Sequence, residues 1–143
     1  MTEDSIHLLK ECDSGTKTAV NSIREVLDNV KSEKLLDILT ASLQAHEALG
    51  DEANELLEKE GESGKEPNPM ARAMSWLKIN THLMGDNSDQ TIAHLMTDGC
   101  NMGIKQISIY KNKYPTADKA AERLADRLIK EEQKLIKDLM EFM

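Results

Sequence analysis

Ile92 to Tyr114, IAHLMTDGCNMGIKQISIYKNKY, is the stretch whose reading decides the fold. Its apolar and small residues recur at helical spacing: Ile92, Met96, Gly99, Gly103, Ile107, Tyr110 and Tyr114. Two of these are glycines four apart in a helix interior, where each costs about 1 kcal/mol relative to alanine. Close approach of another helix, or space for a ligand, would compensate for that cost. Pro115 disfavours helical geometry at Tyr114 and closes the stretch.

Working outward, the remaining segments repeat the pattern. A first helix over about 3–30 has the stripe Ile6, Leu9, Asp13, Thr16, Val20, Ile23, Leu27 and Val30, alternating steps of three and four like a bundle seam. A short turn at Lys31 and Ser32 sends the next helix back beside it, with Ser32 as N-cap. That helix, about 33–60, has the stripe Leu36, Leu39, Leu43, His46, Gly50, Ala53 and Leu57. Residues 61–68 (GESGKEPN) are polar, with two glycines and a proline, and break the pattern. Asn68 and Pro69 then open a shorter helix over about 69–84, with Met70, Met74, Leu77, Thr81 and Met84 on one face. Ser88 or Asn87 caps the stretch that opened this section. After Pro115, Thr116 caps a last helix, about 117–143, with Ala121, Leu124, Leu128, Glu131, Leu135 and Phe142 inward. Residues 61–87 read as a crossover between two antiparallel hairpins in a single domain.

Composition agrees. With 143 residues there is enough chain for one substantial core, and only four aromatics to fill it (Trp76, Tyr110, Tyr114, Phe142). The net charge of −8 argues against nucleic acid and anionic membrane surfaces as partners. Neither a signal peptide nor an apolar run of membrane-spanning length is recognisable, so a cytoplasmic location with reduced thiols is expected. Phosphate loops, nucleophile elbows and zinc-type cysteine spacings are absent from the sequence.

Titratable residues fall on otherwise apolar seams. Equal rise measured from each turn puts Asp13 level with Gly50, Thr16 level with His46, and Glu131 level with Gly99 and Cys100. Asp13, Thr16, His46 and Glu131 would then share an interior site opposite Gly99 and Gly103. Two carboxylates and an imidazole suit a divalent transition metal such as iron, manganese or zinc. They equally suit a buried polar cluster that fixes helix register, and a shift of one residue in the stripes would place some of them at the surface. Cys12 and Cys100 each sit beside a seam position, as ordinary small buried residues or in a redox or metal role.

The chain resembles the ferritin-like four-helix bundles, and more narrowly a group of bacterial ferritin-like domains of unknown function. In that group the first helix opens with Leu-x-x-x-Cys-x-Asp-Gly; Leu8, Cys12 and Gly15 fit, with Ser14 at the aspartate position and Asp13 one residue early. A later helix carries Cys-x-x-Gly-Glu followed by a tyrosine, matched here by Cys100, Gly103 and Tyr110, with Ile104 in place of the glutamate. The resemblance implies an all-α, ferritin-like up-down four-helix bundle with a long crossover carrying an additional short helix. Di-iron members need Glu-x-x-His on two helices. No such motif occurs in this sequence, and Gln133 stands where a histidine would be expected. The expected metal site is therefore degenerate. The expected function is a non-catalytic binding or interaction module, a homo-oligomer or bound to another protein, with no cofactor. The alternative is a metal-binding or redox bundle using Asp13, His46 and Glu131, with Cys12 or Cys100.

Overall fold

The computed structural model describes residues 1–67, 79, 83 and 85–143, and among these the regular structure is entirely helical. Four long helices carry it: α1 (Glu3–Leu27), α2 (Glu33–Lys59), α3 (Asp89–Lys113) and α4 (Lys119–Leu139), the last closed by a short 3-10 turn at Met140–Phe142. The helix expected over 69–84, with its cap at Asn68 and its methionine face, lies mostly outside the described residues. Ile79 and Leu83, the described positions within it, are helical, and Ile79 is buried.

Each long helix starts by one mechanism. Thr2, Ser32, Ser88 and Asp118 stand in extended geometry, and their side-chain oxygens accept from the N–H three residues on. This satisfies a donor that the helix leaves orphaned. Thr116 is not the last cap; its hydroxyl and N–H both donate to Asp4 Oδ2 (2.6 and 3.0 Å), and the helix starts two residues later at Asp118. Gly61 ends α2 with φ +69°, while the Glu62 N–H reaches back to the Leu57 carbonyl (2.9 Å). That left-handed turn is one a glycine takes without a steric penalty.

Helix directions follow from the ties between turns. The Lys31 and Ser32 N–H groups both donate to the Asp89 carboxylate (2.9 Å each), so the α1–α2 turn meets the start of α3. At the opposite end the Asp118 N–H donates to Ser5 Oγ (2.7 Å), and Thr2 Oγ1 donates to the Thr116 carbonyl (3.0 Å). The α3–α4 turn therefore meets the start of α1. Helices α1 and α4 run one way and α2 and α3 the other, so the end of α2 and the start of α3 lie at opposite ends of the bundle. Around it α1 packs on α2, α3 and α4, and α4 packs on α2 and α3, leaving α2 and α3 as the diagonal pair.

Two apolar clusters fill the interior. One surrounds Leu8, Leu9, Cys12, Leu49, Leu57, Ile107 and Leu128. The other surrounds Ile23, Val26, Leu35, Leu39, Ile92, Met96 and Leu139. Between them lie the buried polar residues Asp13, Thr16, Ser42, His46 and Glu132. The seams differ from the sequence stripes in detail. Leu35 is buried where Leu36 was expected and is 39% exposed. On α1, Ser5, Leu8 and Cys12 join the inward face while Ile6 and Val20 sit at its margin.

Removing the Asp89 carboxylate leaves two turn N–H groups without their acceptor. Asp89→Ala is expected to cost about 1–2 kcal/mol and to lower the thermal midpoint by about 3–6 °C, measured by circular dichroism. An unchanged midpoint would show that water replaces the carboxylate without loss.

Candidate functional site

The polar layer contains two groups that share no hydrogen-bond partner among the described residues. The first is built on His46, fully buried on α2. Its Nδ1 lies 2.8 Å from the Ser42 carbonyl one turn back, and 3.3 Å from Ser42 Oγ. Its Nε2 is in short contact with Glu132 Oε1 on α4. From α3, the buried Cys100 thiol feels the charge of the same carboxylate, and Gly103 lies against it: a Cβ there would fall 2.8 Å from Glu132 Oε2. The mid-helix glycine at 103 is thus explained by a carboxylate occupying the space its side chain would need.

Protonation follows from the partners. A carbonyl only accepts, so Nδ1 carries a hydrogen and donates to Ser42. One further proton then lies between Nε2 and Glu132, and whichever atom holds it, the pair as a whole is neutral. Burial by itself pulls the imidazole toward its uncharged form. The hydrogen bond and negative charge of Glu132, the Ser42 carbonyl and the nearby Glu131 outweigh that pull, and hold His46 above its ordinary value of 6.5. The Cys100 thiol is pushed well above the ordinary thiol range by burial, then by the charge and hydrogen bond of Glu132. Cys12 is pushed up to about 12 by burial, then by Glu11 and Asp13. Both are free and buried, so neither has the thiolate character that redox or metal chemistry uses.

The second group is built on Asp13. Its Oδ1 accepts from Asn54 Nδ2 (2.9 Å), and its Oδ2 from the Lys65 N–H and from Lys17 Nζ (2.8 Å each). Thr16 Oγ1 donates to the Asp13 carbonyl (2.9 Å), and its hydroxyl fills the space beside Gly50, where a Cβ would fall 2.8 Å away. No buried polar side-chain atom of either group lacks a partner among the described residues.

Of the residues singled out from sequence, the structure brings His46, Cys100 and Gly103 together and joins Asp13 to Thr16. Glu131 is not the inward residue: Glu132 is buried and Glu131 lies at the margin. Between Leu128 and Leu135 a step of four is taken before the step of three, where the sequence stripe had them in the other order. Gly99 does not line the layer; it is exposed. The α1–α2 register also differs from the equal-rise expectation, since Thr16 meets Gly50 rather than His46, about one turn away. Cys12 belongs to the apolar cluster around Leu8 and Leu9, apart from Cys100. Sequence reasoning missed Glu132, Ser42, Asn54 and Lys65. The first two carried a signal: Glu132 is four residues after Leu128, and Ser42 four before His46. Lys65 acts through its backbone, which its side chain could not announce.

Among the described residues no three His, Cys, Asp or Glu side chains gather closely enough to hold a metal ion. A metal at His46 would have to displace the Glu132 contact and expel the proton between them. No described helix is long and apolar enough to cross a membrane. Comparison with known proteins returned no match to any family model, curated protein or solved structure.

The His46–Glu132 pair sets a pH dependence. A histidine held above its ordinary value stabilises the fold fully below about pH 6.5, and that contribution is lost as pH rises through the folded-state value. Urea denaturation of the wild type from pH 6 upward should show stability falling, and the double variant His46→Leu/Glu132→Leu, which strands neither partner, should remove the slope. Glu132→Ala, which strands a buried imidazole, should cost about 3–5 kcal/mol. A slope that persists in the double variant would assign the pH dependence to another group.

Proposed function

We propose that this chain is a ferritin-like bundle that works as a non-catalytic binding or protein-interaction module and assembles as an oligomer. Helix directions support the ferritin-like reading: two antiparallel pairs joined by one crossover of full bundle length are the plan of that fold. The observation that carries the functional reading is the saturation of the polar layer. At the mid-height where a ferritin-like bundle would hold metal ligands, His46, Glu132, Cys100 and Asp13 spend their bonding capacity on one another and on Ser42, Asn54, Lys17 and Lys65. Two thiols held protonated supply no nucleophile. What remains is the surface. Its net charge of −8 favours protein or cationic partners over nucleic acid.

One observation favours a second reading, a metal-binding or redox bundle with a reduced ligand set. His46 on α2 meets Glu132 on α4 inside the buried polar layer, and bundle metal sites are assembled from residues on facing helices. In that reading His46 and Glu132 would be ligands, and Asp13, held separately by Asn54 and Lys65, would not.

The two readings separate in one preparation. Protein purified without chelator or nickel should contain no stoichiometric iron, manganese or zinc, stay empty after incubation with each, and scatter light as a defined oligomer. Near-stoichiometric metal that disappears in His46→Ala and Glu132→Gln would establish the second reading. A strict monomer that recovers no protein partner from extracts would overturn the first.

A further inference from the structure

Directly after α2 the chain lies along α1, tied to it by a row of polar and charged contacts. Glu62 accepts from Lys10 Nζ (3.1 Å), Lys65 Nζ pairs with Glu11 (2.5 Å), and Glu66 pairs with Lys17 (2.8 Å). These are exposed or half-exposed pairs, individually weak and screened by salt. Beneath them is one buried catch. The Lys65 N–H donates to Asp13 Oδ2, on a carboxylate with no exposure at all, and Gly64 lies directly against it. A Cβ at Gly64 would collide with Asp13 Oδ2 and fall 2.6 Å from Asn54 Oδ1. Lys17 bonds Asp13 and Glu66 together, so catch and outer pairs are one network.

What this segment covers is the edge of the polar layer. Asp13 and Asn54 form the floor beneath Gly64 and Lys65. Thr16 bonds the Asp13 carbonyl and fills the gap at Gly50, and Gly50 is one helical turn from His46. The polar side chains beneath the strap thus extend to Thr16 beside Gly50, one helical turn along α2 from the His46–Glu132 pair.

We propose that residues 62–66 are a charge-latched strap, with the Asp13 carboxylate as its catch, that gates solvent access to the interior polar layer. When latched, the strap supplies Asp13 with a backbone donor and excludes water. When released, it leaves Asp13, Asn54 and Thr16 open to solvent and gives protons and small solutes a path to His46. The inference does not depend on whether the layer ever holds a metal, or on the interaction role proposed above.

The test is amide hydrogen exchange across residues 62–66 together with NMR of the His46 ring N–H, on the full chain. In the wild type the Lys65 amide should be protected at low salt, and its exchange should quicken about tenfold or more as screening is raised to ~0.5 M salt. Gly64→Ala, which forces the strap off the catch without touching a helix, should free the Lys65 and Glu66 amides and speed exchange of the His46 ring proton with water. Its helical melting should remain cooperative. Asp13→Asn keeps the shape of the catch and removes its charge, and should give the same result in milder form. An unprotected Lys65 amide in the wild type, or protection unchanged in both variants, would overturn the latch. Freed strap amides with an unchanged His46 ring exchange would overturn the gate.

Discussion

The contact between His46 Nε2 and Glu132 Oε1 is the constraint to which the rest of the interior conforms. The clusters on either side are built from Leu, Ile, Ala and Met, side chains that accept many arrangements of similar volume. A helix sliding by one turn in such a core loses little, whereas a buried imidazole and carboxylate that miss each other lose a great deal. The pair ties α2 to α4, and Cys100 and Gly103 fit α3 around the same carboxylate. Three of the four helices therefore take their register from one side chain. The fourth, α1, takes its own from Asp13 and Asn54, and from Thr16 filling the gap beside Gly50.

This arrangement also engages the polar groups of the interior with one another. A carboxylate engaged by a buried imidazole is poorly placed to act as a free base. An imidazole bonded at both nitrogens has no lone pair to offer. Bundle interiors of this shape host metal chemistry when their ligands leave coordination positions open; here the same residue types close on one another. The layer has the composition of a site and the bonding of a structural joint.

Much of the architecture was legible in the sequence. Helical periodicity, the Ser32 and Ser88 caps, the break at Gly61 and the stop at Pro115 gave four long helices with boundaries within a few residues, because each signal is local. The occupants of the polar layer were only half legible. Asp13, Thr16 and His46 interrupt apolar stripes and announce themselves. Glu131 and Glu132 are adjacent, and steps of three and four are both helical, so only the position of α2 opposite decides between them. Gly99 and Gly103 look alike in sequence, yet one is exposed and the other makes room for a carboxylate. The Lys65 contact is made by the backbone, to which residue identity gives no clue.

The ties at the two ends of the bundle have a kinetic consequence. Each hairpin, α1–α2 and α3–α4, closes through a short connection and gathers most of its contacts locally, which favours rapid formation. The bonds from the Thr116 and Asp118 N–H groups to Asp4 and Ser5 join residues more than a hundred positions apart, and those from Lys31 and Ser32 to Asp89 span nearly sixty. They can form only once the two hairpins have docked, and if that docking is the rate-limiting step they are absent from its transition state. Interactions absent from the transition state act on the rate of coming apart rather than on the rate of assembly. With docking rate-limiting, the small polar residues at the helix ends would set the lifetime of the folded chain, while the apolar seams would set how fast it is reached.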